Sequence, residues 1–187
     1  MNPIFMWRIL VETLGGTLDY APLITIVKGP MESFFEWLQA LSIANWIATD
    51  ESIWSFPTIL FFHSVGMGLT AGVMFIVCLR LVGVGRPLPV SSLGTLFRIF
   101  WWGFVLNVIT GSLLFAAHAA ITGNQPIYYA KLSLIAVGVV LAVPLQKFVT
   151  GDGSDGVIPA GVRGMAAVAL AVWVGVITTG RFIAYLQ

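Results

Sequence analysis

The sequence predicts an all-α integral membrane protein, an up-down four-helix bundle preceded by two amphipathic, interfacial helices. Of its 187 residues, 58% are hydrophobic and only 9% are charged, whereas soluble domains carry about 25% charged residues. Four apolar segments each come near the roughly 20 residues that a helix needs to cross a bilayer. The connections between these segments are short, so neighbouring helices should run antiparallel.

Residues 1–52 are predicted to form two amphipathic helices on the outer side of the membrane. Within residues 1–20, apolar side chains recur at three- and four-residue spacing, which places them on one helical face. This segment is too short and too polar to span, so it should lie in the interface or pack on a neighbour. The second helix is predicted over residues 31–48, with Glu32 in its first turn.

Residues 53–187 are predicted to form the transmembrane domain. Its four spans are expected at about residues 53–82, 94–121, 128–148 and 162–185. Glycines in the first two spans would allow close helix packing or leave room for a flat ligand, and the sequence keeps both interpretations open. These glycines are Gly66, Gly68 and Gly72 in the first span, and Gly103 and Gly111 in the second.

The connection after the first span carries Arg80 and Arg86. Short loops rich in lysine and arginine stay on the cytoplasmic side of a membrane. Both termini are therefore predicted on the outer side, which is the periplasm if the membrane is a bacterial inner (cytoplasmic) membrane.

The two histidines, His63 and His118, both fall in apolar runs. An ionisable residue inside a span marks a functional site by default, because its placement in hydrocarbon costs free energy. Both residues are predicted in the outer half of the bundle, on the first and second spans. Two helix-borne imidazoles at similar depth are what a bis-histidine haem b requires, and bundle cores hold such cofactors.

Lys131 opens the third span and Arg181 closes the fourth, both at the outer end. Haem propionates favour such cations, so each span would contribute one residue to a single layer. Both side chains would serve equally as anchors that extend to the interface. Aromatic residues that could pack on the ring are Phe61, Phe62, Trp101, Phe115, Trp173 and Phe182, although such residues are more often ordinary core or lipid-facing groups.

Two alternatives to haem remain open. Met67 follows His63 by four residues and shares its helical face, so that His63, Met67 and His118 could bind copper, which accepts thioether and imidazole ligands. Most methionines at helical spacing fill gaps in the core, and Met67 could also line the edge of a haem. In the third hypothesis the chain is a cofactor-free accessory subunit, in which the histidines only form hydrogen bonds between helices.

Several function classes are excluded. The sequence has no P-loop, no dinucleotide fingerprint, no HExxH motif and no paired carboxylates in its spans. The net charge of +1 argues against a nucleic-acid partner. With two axial histidines, a haem iron suits electron transfer rather than substrate chemistry. The predicted partners are lipid, further copies of the chain in a symmetric homo-oligomer, and a periplasmic redox partner or a quinone.

Short motifs spread over residues 54–148 form a recognisable pattern. They are His63-Ser-Val-Gly66, Gly72, Leu79-Arg80-Leu81-Val82-Gly83, Gly111-Ser-Leu-Leu-Phe115 and Tyr129-Ala-Lys131-Leu132. The pattern resembles a poorly characterised family of small bacterial inner-membrane proteins, similar in helix layout to b-type cytochromes and to the membrane part of CopD-type copper-resistance proteins. The chain departs from it at Cys78, where an acidic residue is expected. The resemblance implies haem or metal binding in a redox setting.

Overall fold

The computed structural model describes residues 30–84, 88–151 and 157–186, and all regular structure in these ranges is helical. The chain divides into two compact units, Met1–Phe34 and Phe35–Gln187. The amphipathic helix predicted within residues 1–20 and the Arg86 of the first connection lie outside the described residues.

Four of the helices are long and apolar enough to cross a membrane. This confirms the predicted all-α class, and it makes the chain a multi-pass membrane protein. The spans begin and end within a few residues of their predicted limits. The first span is Phe56–Val82, the second Leu93–Ala117, the third Pro126–Thr150 and the fourth Ala160–Leu186.

Each span runs antiparallel to the next, as the up-down prediction requires. Residue numbers rise along one span while they fall along the facing span. The contacting pairs are His63–Thr110 and Thr70–Asn107 between the first and second spans, Trp101–Gln146 and Phe115–Tyr128 between the second and third, and Lys131–Gly180 and Gly138–Trp173 between the third and fourth.

The first and second spans approach most closely at two glycines. A Cβ atom on Gly103 would lie 2.6 Å from the Cβ of Leu69, and one on Gly66 would lie 2.8 Å from the Oδ1 of Asn107. Such small residues let membrane helices bring their backbones together. Gly68 and Gly72 bound a π-helical turn, and a Cβ atom added at either position would meet no neighbouring helix within 4 Å. These two glycines therefore contribute nothing to the close approach.

The densest apolar packing lies toward the connection between the first two spans. After the π-helical turn, the segment Val73–Val82 packs against the fourth span. Helices in lipid are held together by such dispersion contacts, because lipid is as apolar as the side chains. The largest fully buried side chains here are Phe97, Phe100, Met74, Leu81, Leu93, Leu145, Val77 and Cys78.

The segment before the first span forms two helices rather than the single one predicted over residues 31–48. They are Pro30–Gln39 and Ser42–Thr49, separated by Leu41, whose ψ of 138° is not helical. The break allows both Phe35 and Ile47 to be buried. Ser42–Thr49 packs against the second span.

The second span ends earlier than the predicted residue 121. Its helix stops at Ala117, and His118 follows with φ −128° and ψ 29°. The His118 amide donates to the carbonyl of Phe115 at 3.1 Å, which tightens the last turn. A four-residue helix, Ala119–Thr122, then leads toward the third span. His118 is therefore in the turn rather than within the span.

We expect Gly103→Ala to lower the free energy of unfolding by about 1–3 kcal/mol, because the new methyl group overlaps Leu69 and forces the first two spans apart. The matched control is Gly72→Ala, whose methyl meets open space and whose alanine favours the helix. Denaturant-induced unfolding in detergent, followed by circular dichroism, measures both. Equal stability of the two variants would contradict the close approach of the spans at Gly103.

Candidate functional site

His63 lies on the first span with its ring against the second span. Its Nδ1 atom is 3.0 Å from the Oγ1 of Thr110. Its Cε1 atom is 3.2 Å from the position that a Cβ atom on Gly111 would occupy. The absence of a side chain at Gly111 therefore lets the imidazole rest against the backbone of the second span. The His63 side chain is half-buried.

Lys131 extends from the third span to the fourth. Its Nζ atom lies 3.4 Å from the position that a Cβ atom on Gly180 would occupy. The ammonium group also interacts electrostatically with the imidazole of His63. The Lys131 side chain is half-buried, whereas Arg181, the next residue after Gly180, is exposed.

The spans supply no anion to balance Lys131. The sequence has no aspartate or glutamate between residues 53 and 151, or between residues 157 and 187. A cation held within a bundle is costly unless an opposite charge or water accompanies it. The spans themselves therefore place a cation, and no carboxylate, in the layer around His63 and Lys131.

Of the layer predicted from His63, His118, Lys131 and Arg181, the structure describes contacts of His63 with the second span and of Lys131 with the fourth. The first span contributes His63, the third Lys131, and the fourth Gly180, against which Lys131 lies. The contribution of the second span differs from the prediction, because Thr110 and Gly111 lie at this level where His118 was expected.

His118 lies closer to the end of the bundle at which the first span begins. Its ring packs edge-on against Phe56, with 5.5 Å between ring centroids. Phe56 precedes His63 by seven residues, which is about 10 Å along a helix. The structure therefore does not bring the two histidines to one depth. A haem bound by both requires the turn that carries His118 to move toward His63.

Met67 is half-buried, one helical turn beyond His63. A copper site of His63, Met67 and His118 requires the same movement of His118. Within residues 30–84, 88–151 and 157–186, no group of three or more histidine, cysteine, aspartate or glutamate side chains could hold a metal ion. Because His118 packs against Phe56, the set of donors predicted for copper is not assembled in this conformation.

The six aromatic residues that the sequence suggested could pack on a haem ring lie in different surroundings. Phe61, Phe62 and Phe182 are exposed on the bundle surface. The Trp101 indole donates to the Oε1 of Gln146 at 2.8 Å. Trp173 is 3% exposed and packs against Gly138 and Phe100. Phe115 stacks on Tyr128, with 4.8 Å between ring centroids, and packs edge-on against Phe35.

Sequence reasoning missed the polar residues between the first two spans. Asn107 donates through Nδ2 to the Oγ1 of Thr70 at 3.2 Å, and Thr70 donates to the carbonyl of Gly66 at 2.8 Å. The signal that could have found them was the spacing of Asn107 and Thr110, which places both side chains on one face of an apolar helix. Polar side chains in that arrangement form hydrogen bonds between membrane helices.

The placement of His118 can be tested by crosslinking in a Cys78→Ala background, which removes the chain's one native cysteine. A short thiol-specific crosslinker should join the pair Phe56→Cys with His118→Cys several times faster than His63→Cys with His118→Cys. Intact mass spectrometry measures the crosslinked fraction. Equal or reversed rates would mean that His118 shares the depth of His63.

Comparison with family models, with curated proteins and with solved structures gave no match for this chain. The geometry of the layer that contains His63 and Lys131 is therefore the basis for a functional assignment.

Proposed function

We propose that the chain is a haem b-binding membrane cytochrome that transfers electrons. His63 is the axial ligand, and Lys131 and Arg181 neutralise the propionates. The observation that carries the proposal is the half-buried Lys131, whose ammonium is within electrostatic range of His63, in a bundle whose spans contain no carboxylate.

Haem fits this pair of residues in two respects. It offers two carboxylates, which supply the anion that the spans lack. It also takes imidazole nitrogen as an axial ligand in many haem proteins. A bound haem b supplies one-electron redox chemistry. The residues of the chain hold the iron, balance the carboxylates and surround the group with apolar side chains.

The proposal includes a possible second ligand from the chain to the haem iron. His118 is the only other imidazole of the chain, so a bis-histidine haem within one chain needs it. This form requires the segment from His118 to Thr122 to move toward His63. If only His63 binds the iron, the second position is open to another ligand.

Lipid contact has direct support, because large apolar side chains cover the outside of the spans. Trp102 is 76% exposed and Val140 is 69% exposed. We extend the proposal to a bacterial inner membrane with both termini in the periplasm. It also includes a homo-oligomer and electron exchange with a periplasmic redox partner or a quinone. The orientation rests on Arg80 and Arg86 in the connection after the first span, and a redox partner on the periplasmic side follows from that orientation.

The test is a reduced-minus-oxidised absorption spectrum of the protein purified from its membrane in mild detergent. The wild type should show haem b bands, and His63→Ala should lose them. His118→Ala separates the two ligand schemes, since it loses the bands only if both histidines bind the iron. A colourless wild-type protein, or an unchanged His63→Ala spectrum, would refute the proposal. Copper stoichiometric with the chain, without haem, would favour the copper alternative.

Lys131→Met should weaken binding of ferric haem by about 10- to 100-fold, because a hydrogen bond to a charged group contributes about 1.5–3 kcal/mol. Lys147→Met is the control, since it removes the same charge at the opposite end of the third span. Titration of the apoprotein with haem and with its dimethyl ester measures the effect. The ester lacks free carboxylates, so it should bind equally to wild type and Lys131→Met. An equal loss for haem and its ester would show that Lys131 does not recognise the carboxylates.

A further inference from the structure

The Thr110 hydroxyl lies between two neighbours. Its Oγ1 is 2.7 Å from the carbonyl oxygen of Leu106 on the same helix. The same oxygen is 3.0 Å from the Nδ1 of His63 on the first span. Thr110 is itself 6% exposed, so both contacts are shielded from solvent. A hydroxyl group has one proton, and it can therefore donate to one of these neighbours only.

The Leu106 carbonyl decides which neighbour receives that proton. A carbonyl oxygen can only accept a hydrogen bond, so Thr110 must be the donor in that pair. The Thr110 oxygen is then an acceptor toward His63, and His63 must donate to it. A neutral imidazole carries one proton, so that proton lies on Nδ1, and Nε2 holds an unshared electron pair.

We infer that Thr110 is a positioning residue that holds His63 in the tautomer protonated at Nδ1, with Nε2 presented as the ligand nitrogen for a metal such as haem iron. Histidines that bind metals commonly donate their other ring N–H to an oxygen acceptor. That contact fixes the ring and makes the ligand nitrogen more basic. Thr110 supplies this acceptor from the neighbouring span.

The same arrangement recurs one level deeper between the two spans. Thr70 donates to the carbonyl of Gly66 at 2.8 Å and accepts from the Nδ2 of Asn107 at 3.2 Å. Each threonine thus donates its hydroxyl proton to a carbonyl of its own helix, and its oxygen accepts a hydrogen bond from the facing helix. The partner of Thr70 is the NH₂ group of Asn107, which can only donate, so Thr70 must accept. By the same logic, the Thr110 oxygen accepts a hydrogen bond from the imidazole N–H of His63.

Nitrogen NMR of the ligand-free protein tests the tautomer. The sample is full-length protein in micelles with ¹⁵N-labelled histidine and the substitution His118→Gln, which leaves only the His63 nitrogens. At a pH where the ring is neutral, we expect a protonated Nδ1 and an unprotonated Nε2. Thr110→Ser should keep this pattern. Thr110→Val, which preserves the shape but removes the acceptor, should shift the population toward a protonated Nε2.

A wild-type spectrum with Nε2 protonated, or the same spectrum for wild type and Thr110→Val, would overturn the inference. If Thr110→Val does not fold, the wild type and Thr110→Ser decide the matter, because both must show protonated Nδ1. The tautomer of His63 does not depend on haem, whereas the role of Nε2 as an iron ligand rests on the proposed function.

Haem titration of the wild type, Thr110→Val and Thr110→Ser, all with His118 retained, tests the ligand role separately. Thr110→Val should bind ferric haem about 10-fold or more weakly, as loss of such a hydrogen-bond partner does at other metal sites, and Thr110→Ser should restore binding. Equal affinity in all three proteins would show that Thr110 does not support an iron ligand. If the wild type binds no haem, the proposed function is refuted, whereas the tautomer measured by NMR is unaffected.

Discussion

The close approach of the first and second spans at Gly66 and Gly103 determines where the groups of the candidate site lie. Lipid offers no hydrophobic driving force for helix association, so contact depends on backbone proximity and on hydrogen bonds between the helices. Both are present here. The missing side chains let the backbones approach, and the hydrogen bonds of Thr110 and Asn107 join the two helices. The imidazole of His63 is thereby held at a fixed level of the bundle.

The two ends of the bundle have different chemistry. Toward the first connection the interior is filled by large apolar side chains such as Phe97 and Phe100, which are fully buried. Toward the other end the interior contains His63 and Lys131, which are only half-buried. A lysine in such a position costs free energy and contributes little to packing. The spans contain no carboxylate that could pair with Lys131, which is why we propose a bound anion as its partner.

The fold class and the four spans could be predicted from sequence, because the thickness of a bilayer dictates the length of an apolar helix. The contact between Lys131 on the third span and the end of the fourth span at Gly180 agrees with the depths that alternating helix directions assign to these residues. The position of His118 could not be predicted from the sequence. The helix breaks after Ala117, where His118 contacts Phe56 and Phe115. That error also affects the predicted pairing of the two histidines.

Other features depend on which faces of the helices meet, and a single sequence does not specify this. Gly66 and Gly68 look equivalent in the sequence, yet only Gly66 faces the second span. Thr110 is unremarkable as a threonine in an apolar helix until the structure places its oxygen beside His63. Rotation of either helix by one residue would separate these groups, because successive residues point about 100° apart.

The central claim is that His63 and Lys131 together hold an anionic haem, and iron-edge anomalous diffraction tests it most directly. Crystals of the protein purified from its own membrane should give one iron peak within ligand distance of the Nε2 of His63, with a carboxylate of the same group at the Nζ of Lys131. An iron peak elsewhere in the bundle, or a structure at this level without iron, would contradict the account.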